Sequence, residues 1–220
     1  MKESKIINLS EKKSFVSQWV SELRNINVQG DRMRFRRNLE RIGEAIAYEI
    51  SKSLPYNTTP INTPLGVHQS SVLAEQPVLC TILRAGLPLH QGMLNYFDQA
   101  DNSFMAAYRK HTDESHFEIS LEYVSCPDLT NRILIISDPM LATGASLVRS
   151  INQLQNEGKW RELHIVCAIA SKPGLDYVSA VFPEAMIWCG DVDEALSDKG
   201  YILPGLGDAG DLAFGTKMQH

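Results

Sequence analysis

The residues of this chain that could do chemistry are concentrated at positions 133–146, ILIISDPMLATGAS. Four apolar residues lead to Asp138, and a loop of small residues follows at 142–146. A buried strand, such a loop and a helix together can form a phosphate site, because backbone N–H groups approach the anion and the helix start adds partial positive charge. Asp138 would lie beside that anion, where it suits a ribose hydroxyl or a divalent cation.

A second interpretation of this segment is structural. Thr143 could simply cap the following helix, as in many α/β turns, and the spacing alone leaves both interpretations open. The segment contains neither a Gly-Lys-Ser/Thr triplet nor a G-x-G-x-x-G pattern. Those absences argue against an ordinary nucleoside triphosphatase or a dinucleotide enzyme.

Two other kinds of segment could bind a ligand. Arg84 and Arg109 each follow a predicted strand, where an arginine can bind a phosphate through two hydrogen bonds or pair with a surface carboxylate. The run YILPGLGDAGD at 201–211 holds three glycines and one proline, which predicts a shaped loop rather than a helix or central strand. Its peptide groups could recognise a flat polar ligand, or the run could be a tail that wraps the domain.

The composition limits the partners. Of 220 residues, 44% are hydrophobic and 21% charged, and the formal charge is −5, so a nucleic-acid backbone is not expected as a partner. The basic cluster at 32–41 follows a helical apolar pattern and indicates a solvated helix face. No apolar run approaches the roughly 20 residues that span a bilayer. Four cysteines without a C-x-x-C pair, and a charged start without a signal-like run, predict a cytoplasmic protein.

Apolar strands alternate with helices along most of the chain. The predicted strands are 78–83, 103–108, 133–137, 164–170 and 185–189, and the predicted helices are 33–54, 86–97, 147–157 and a short one after Pro173. Such strands indicate a mainly parallel sheet that is covered on both faces. Ligands bind beyond the carboxyl ends of these strands, where Arg84, Arg109 and Asp138 all lie.

Three flanking segments differ from this pattern. The sequence predicts that residues 1–30 form an arm with one short helix. It predicts an extended loop or edge strand for residues 55–76, which are rich in Thr, Asn, Pro and Ser. Residues 109–131 contain an alternating stretch that predicts a hairpin arm. That arm could cover a site, reach a partner subunit, or be an edge hairpin of the same domain.

Together the segments resemble uracil phosphoribosyltransferases, within the type I phosphoribosyltransferase fold. The matching motifs, in the family's order, are LRAG (83–86), YR (108–109), DPMLATGAS (138–146), DVDEAL (191–196) and YILPGLGDAGD with FGT (201–216). The resemblance implies that uracil and 5-phospho-α-D-ribose 1-diphosphate give UMP and diphosphate in pyrimidine salvage, with Mg²⁺ as cofactor.

The resemblance also implies roles for individual residues. Arg109 and Asp208 are the implied catalytic residues. The implied donor-binding residues are Arg84, Arg109, Asp138, Pro139, Met140, Leu141, Ala142, Thr143, Gly144, Ala145, Ser146 and Asp208. The implied uracil-binding residues are Ile202, Gly207, Asp208 and Ala209. No protein ligand is assigned to the magnesium ion, which is expected mainly on the diphosphate and water.

The fold implied is an α/β protein with a mainly parallel central sheet, a β-hairpin arm, and a hood formed by the N- and C-terminal segments. Residues 1–220 are expected to form one domain, with a flexible lid at 109–131 and the uracil loop and tail at 190–220. The family implies a homodimer or homotetramer, with GTP as an effector in some relatives. A non-catalytic regulator that senses UMP or the donor is the alternative, against which the negative charge and the intact uracil loop argue.

Three positions depart from the family's pattern. Ala145 stands where glycine is usual, which is tolerable only if its φ is negative. Ser197 stands where asparagine is common, and Leu212 replaces a common basic residue. The 111–127 segment also departs from the usual sequence. None of these changes removes a residue to which the resemblance gives a chemical role.

Overall fold

The computed structural model of the protein describes residues 5–111 and 117–216. This part of the chain contains twelve strands and six α-helices. The strands are β1 Lys5–Asn8, β2 Tyr56–Thr63, β3 Gly66–Leu73, β4 Val78–Leu83, β5 Asp101–His111, β6 Phe117–Ser125, β7 Ile133–Ser137, β8 Met140–Leu141, β9 Glu162–Ser171, β10 Met186–Asp193, β11 Ala195–Leu196 and β12 Ile202–Leu203. The helices are α1 Phe15–Arg24, α2 Arg32–Ser51, α3 Leu87–Leu94, α4 Ala145–Leu154, α5 Lys172–Val181 and α6 Ala209–Phe214.

The central sheet has the strand order β1-β10-β9-β7-β4-β5-β6, and β8 adds to β9. All of its pairings among the described residues are parallel except β5 with β6. The mainly parallel sheet is therefore confirmed, and the bounds predicted for β4 and β7 agree to the residue. The edge strand β1 was not predicted, because four residues are too few to show a pattern.

Helices cover both faces of this sheet. On one face α1, α2 and α3 pack on strand residues such as Leu79 and Ile135, and on the other α4 and α5 pack on Cys80 and Ile136. Neighbouring strand residues thus enter different cores, which explains why the strands are apolar throughout. None of the described helices is long and apolar enough to cross a membrane.

Residues 55–76 differ from the prediction. Strands β2 and β3 form a separate antiparallel hairpin rather than a loop or an edge of the central sheet. Every residue of β2 is exposed, and Leu65 at the tip is 100% exposed. Both faces of the hairpin lack a core, so the sequence carries no alternation of apolar and polar residues from which strands could be predicted.

The predicted arm at 109–131 is an edge hairpin of the central sheet over the residues that the structure describes. Strand β5 pairs with β6, with an irregularity between Ala106 and Ala107, and β6 is the last strand of the sheet. Residues 112–116, the middle of the predicted arm, lie outside the described residues. The role of a lid therefore stays a prediction.

Candidate active site

The candidate site lies beyond the carboxyl ends of β4 and β7, where four loop segments meet. A Cβ atom built on Gly200 would lie 3.3 Å from Cγ2 of Thr143, so the turn between β11 and β12 packs on the loop before α4. A Cβ atom built on Gly210 would lie 3.8 Å from Cβ of Ala85, so the start of α6 packs on the loop after β4. Three motifs that are far apart in sequence therefore surround one edge of the sheet.

The loop that precedes α4 has the geometry of an anion site. Gly144 adopts the left-handed conformation, with φ 79°, and is the N-cap of the helix. The first i→i−4 bond runs from the Val148 N–H to the Gly144 carbonyl at 2.9 Å. The N–H groups of Ser146 and Leu147, at the first turn of the helix, therefore lack an i→i−4 partner, and an anion at the helix start can accept hydrogen bonds from them.

The structural interpretation of this segment is that Thr143 caps α4. Its Oγ1 accepts a 3.4 Å hydrogen bond from the Ala145 N–H, but the N-cap position belongs to Gly144. Ala145 begins the helix, and among the described non-glycine residues only Asn131 has a positive φ. The condition set for Ala145 is therefore met, since its methyl group causes no left-handed strain.

The start of α5 packs against this loop and holds it through Ser171. Ser171 Oγ donates a 2.6 Å hydrogen bond to the Ala142 carbonyl, and the same hydroxyl accepts from the Gly174 N–H at 3.0 Å. A Cβ atom on Gly144 would lie 2.8 Å from Cγ2 of Val178. The loop is thus packed tightly on its protein side, which holds its peptide groups in place.

Asp138 stands at the end of β7, beside the loop. Its side chain is half-buried, and its Oδ1 accepts a 3.4 Å hydrogen bond from the Met140 N–H. Burial raises the pKa of this carboxyl to about 6, and the Met140 N–H offsets only part of that effect. A carboxylate with this pKa can accept a hydrogen bond from a hydroxyl at neutral pH.

Arg84 follows β4 and points to the C-terminal tail. Its guanidinium Nη2 lies 3.5 Å from Oδ1 of Asp211 and 3.4 Å from the Gly215 carbonyl. Both distances are long and the Arg84 side chain is 45% exposed, so the guanidinium is weakly held at the site. Glycine is required two residues later, because a Cβ atom on Gly86 would contact Oγ1 of Thr81.

Arg109 lies within β5, and its Cα pairs with that of Ile119 in β6. Its side chain is outside the described part of the chain. The predicted contact of Arg109 with the donor therefore stays a prediction.

The predicted uracil loop is only partly a loop. Ile202 is buried in β12, Gly207 is exposed with φ 94°, and α6 begins at Ala209. At the first end β12 is a two-residue strand outside the central sheet, which agrees with the prediction of no central strand, but at the second end the prediction of no helix is wrong. The reason at the second end is Asp208, whose exposed carboxylate accepts a 3.0 Å hydrogen bond from the Asp211 N–H and caps α6.

Arg24 and Asp193, for which no role was predicted, hold this loop. Arg24, at the end of α1, donates through Nη1 to Oδ2 of Asp193 at 2.7 Å and to the Gly205 carbonyl at 3.1 Å. Its Nη2 donates to Oδ2 of Asp191 at 3.0 Å. Burial opposes the charge of Arg24, but the hydrogen bonds to both carboxylates outweigh it and raise the pKa of the guanidinium. No local pattern could have revealed a pairing between residues so distant in sequence.

The other two departures have structural roles. Ser197 closes the β11–β12 turn, since its N–H donates to the Tyr201 carbonyl at 2.8 Å and its Oγ accepts from the Tyr201 N–H at 3.1 Å. Leu212 is half-buried and packs against the core on the α2 face of the sheet. An apolar residue at 212 therefore contributes packing where a basic residue is common.

Among the described residues, no three His, Cys, Asp or Glu side chains are grouped so that they could hold a metal ion. Magnesium, however, is usually bound through one or two carboxylates together with substrate phosphates and water. The exposed carboxylate of Asp208 and the half-buried one of Asp138 are of the type that such a shared ion requires. The residues at the site therefore fit a magnesium ion that arrives with a diphosphate.

Comparisons with known proteins agree over nearly the whole chain. The family model described as uracil phosphoribosyltransferase matches residues 10–216. A uracil phosphoribosyltransferase from Porphyromonas gingivalis is 47% identical over 214 residues, which cover 97% of this chain and 99% of that protein. One from Methanococcus vannielii is 36% identical over 93% of this chain and 88% of its own length. A solved structure from Aquifex aeolicus has a TM-score of 0.86 at 31% identity, covering 97% of this chain and 100% of that one.

Proposed function

Since the chain belongs to the uracil phosphoribosyltransferase family, we propose that it transfers the phosphoribosyl group of 5-phospho-α-D-ribose 1-diphosphate to uracil, giving UMP and diphosphate. The enzyme is then a pentosyltransferase with the type I phosphoribosyltransferase fold. The observation that carries the proposal is the meeting of the loop before α4, the loop after β4 and the loop before α6 at one edge of the sheet.

The donor's 5-phosphate is proposed to bind at the start of α4. Residues 142–146 are proposed to form this site. The N–H groups of Ala142 and Ala145 bond within the loop, so those of Thr143, Gly144 and Ser146 would donate to the phosphate, and Gly144 sets the turn. The other proposed donor-binding residues of this segment, Pro139, Met140 and Leu141, join it to β7 and include the short strand β8. Asp138 is proposed to accept a hydrogen bond from a ribose hydroxyl.

Bond breaking at the anomeric carbon releases diphosphate and leaves an oxocarbenium-like ribose. Negative charge grows on the departing diphosphate, so cations placed there stabilise the transition state more than the ground state. Arg84 and Arg109 are proposed to provide these charges. Mg²⁺, when bound, would neutralise further charge on the diphosphate, and the carboxylates of Asp208 and Asp138 are of the type that could hold it.

Uracil attacks the anomeric carbon through a ring nitrogen, whose proton passes to water or to the departing diphosphate. As the proton leaves, negative charge builds up on the ring carbonyl oxygens until the new bond is complete. The backbone groups of Ile202, Gly207 and Ala209 are proposed to bind the ring edge. Peptide N–H groups in this loop would stabilise the carbonyl charge as it develops.

Water must be excluded, because it would hydrolyse the activated donor. We propose residues 109–131 as the cover, in line with the place of Arg109 in β5 beside the carboxyl end of β4. In this arrangement one segment carries a donor-binding arginine and closes the site over it.

A homodimer or homotetramer is proposed from the β2–β3 hairpin. No Asp, Glu, Lys or Arg occurs between Lys52 and Glu75, and the hairpin exposes apolar side chains such as Ile61 and Val67. An isolated two-stranded hairpin is marginally stable in water, and an uncharged exposed edge invites pairing. A second copy of the chain is the partner that would cover it.

A cytoplasmic location is proposed from the four cysteines, all of which are free. Cysteines that stay reduced are typical of a reducing compartment.

The test of the function is a direct assay. Protein, labelled uracil, the donor and Mg²⁺ are mixed, and UMP is separated by chromatography, with the donor omitted in one control and Mg²⁺ chelated in another. We expect UMP to form only in the complete mixture. Tight UMP binding without turnover would contradict the proposal and favour the non-catalytic regulator. Repeating the assay with GTP tests whether a purine nucleotide activates the enzyme.

A further inference from the structure

The N-terminal helix α1 is joined to the uracil loop by a shielded ion pair. Arg24, the last residue of α1, is 19% exposed, and Asp193, the last residue of β10, is 7% exposed. Their closest atoms, Arg24 Nη1 and Asp193 Oδ2, are 2.7 Å apart. Asp191 completes the arrangement at 3.0 Å from Nη2, so one guanidinium serves two carboxylates. The planar fork of arginine suits this double contact, and a lysine ammonium does not.

Both peptide groups of Gly205 are held by this pair. The Gly205 N–H donates to Oδ2 of Asp193 at 3.2 Å, and the Gly205 carbonyl accepts from Nη1 of Arg24 at 3.1 Å. Gly205 has φ 63°, and a Cβ atom there would contact the Ile202 carbonyl oxygen. The turn that follows the buried Ile202 is therefore fixed both by its own conformation and by the ion pair.

The other end of the loop is fixed by α6. Asp208 caps that helix, and its first residue, Ala209, is buried. Between the two fixed ends only Leu206 and Gly207 remain, and Leu206 is itself buried. A change at the first end therefore reaches Gly207, and the start of α6 behind it, through only two intervening residues.

We infer that Arg24 and Asp193 are positioning residues that set the loop at 205–209 and so determine the affinity for uracil. The inference rests on the proposed function, because it takes the backbone of Gly207 and Ala209 as the uracil contacts. The pair acts through Gly205 and touches no substrate. Arg24 also offsets part of the negative charge of Asp191 and Asp193 near the loop. Without it, the two carboxylates would repel more strongly a base that becomes negative as its ring nitrogen loses a proton.

A merely structural pair would behave differently. Loss of such a pair would lower the stability of the fold and the amount of active enzyme, with no preference between substrates. A positioning pair acts mainly on uracil, because most of the proposed donor contacts lie at the start of α4 and after β4. Asp208, the proposed donor contact within the loop, is held separately by its cap on α6. The ratio of the two KM values separates these cases.

The experiment compares Arg24→Lys with Arg34→Lys. Arg34 of α2 holds the same helix α1, through hydrogen bonds of 2.9 and 2.8 Å to the carboxylate of Glu22, and none of its side-chain hydrogen bonds or ion pairs among the described residues goes to the loop. Steady-state KM values for uracil and for the donor are measured for both variants, together with the melting temperature. In Arg24→Lys we expect the KM for uracil to rise about tenfold to a hundredfold, because a small misplacement of binding groups can have an effect of this size. The KM for the donor should change less than about twofold, and Arg34→Lys should leave both values near those of the wild type.

An Arg24→Lys protein that is folded and keeps the wild-type KM for uracil would overturn the inference. Equal increases in the two KM values would overturn it as well. If Arg24→Lys does not fold, Asp193→Asn is measured in its place, with the same expected split and the same contrary outcomes. A wild-type protein that forms no UMP contradicts the proposed function instead, so the two failures are distinguishable.

Discussion

The carboxylate of Asp208 accepts a hydrogen bond from the Asp211 N–H at 3.0 Å and caps α6. Asp208 thus has a structural role beside the catalytic role that the family resemblance implies. The two roles differ in their need for charge. An N-cap requires only an oxygen acceptor, whereas a contact with the donor or its magnesium ion requires a carboxylate.

Asp208→Asn is therefore expected to separate the two roles. Asparagine caps a helix about as well as aspartate, so the free energy of unfolding should change by less than about 0.5 kcal/mol. Turnover should fall about a hundredfold, as when one group that stabilises transition-state charge is removed. Asp208→Ala is the control, since it also loses the cap and should cost about 1 kcal/mol. An Asn variant with normal turnover and lowered stability would contradict the assigned role.

Gly144→Ala is expected to damage the loop that is proposed to bind the donor's phosphate. The residue has φ 79°, which costs about 1–2 kcal/mol for an L-residue, and the new methyl group would lie 2.8 Å from Cγ2 of Val178. Urea denaturation should show this loss, and the KM for the donor should rise.

Ala145→Gly is the matched control for Gly144→Ala. It changes the neighbouring residue, which has no positive φ, so its effect on unfolding should stay below about 1 kcal/mol. Similar effects of the two changes would show that the conformation of Gly144 is not what the loop requires.

The raised pKa of Asp138 predicts a pH dependence of activity. Burial holds the pKa near 6, against an ordinary value of 3.8. If the ionised carboxylate accepts the ribose hydroxyl, kcat/KM for the donor should fall as the pH drops below about 6. Asp138→Asn should lower kcat/KM and remove this step from the pH profile. A wild-type profile that stays flat between pH 5 and pH 7, on the order of one unit either side of this pKa, would contradict the role.

The same shift predicts a pH dependence of stability. Because the folded pKa of Asp138 lies above the unfolded one, the folded state binds this proton more tightly. The contribution of Asp138 to stability is therefore largest below pH 3.8 and is lost as the pH rises to about 6. Between these values Asp138→Asn should lose less stability with rising pH than the wild type does, as measured by thermal melts across the range.

Arg84→Ala is expected to weaken donor binding with little effect on the fold. The Arg84 contacts with Asp211 and Gly215 are long and exposed, and such pairs contribute about 0–1 kcal/mol. The KM for the donor should rise about tenfold to a hundredfold, since a hydrogen bond to a charged group contributes about 1.5–3 kcal/mol.

Arg109→Ala should likewise weaken the binding of the donor more than the binding of uracil. Equal losses for the two substrates would indicate that Arg109 only shapes the cover over the site. Comparing Arg109→Ala with Arg84→Ala in one assay keeps the conditions identical for both arginines.

Val67→Lys is expected to dissociate the proposed oligomer. Val67 is exposed on the uncharged β2–β3 hairpin, and a charge placed in a hydrophobic interface opposes association. Sedimentation should show a mass above the 24.6 kDa of one chain for the wild type, and a smaller one for the variant. Ile26→Lys, at an exposed residue away from the hairpin, is the control. A wild type that sediments as one chain would contradict the proposal.

Much of the scaffold follows from the sequence. The bounds of β4 and β7 could be predicted because a strand buried on both faces must be apolar throughout. The position of Asp138 at the end of β7 follows from the same run. The motifs at 138–146 and 201–216 also sufficed for the family, since their order and spacing are specific.

The tertiary structure alone decided which of these segments meet and what holds them. The β2–β3 hairpin and β1 escaped prediction because exposed or very short strands leave no periodic pattern. The pairing of Arg24 with Asp193 joins the two ends of the chain, and the placement of Thr143 beside Gly200 joins two loops. Local periodicity reports which side of an element is buried. It carries no information on which distant loop will lie opposite, because that depends on how the whole sheet and its helices pack.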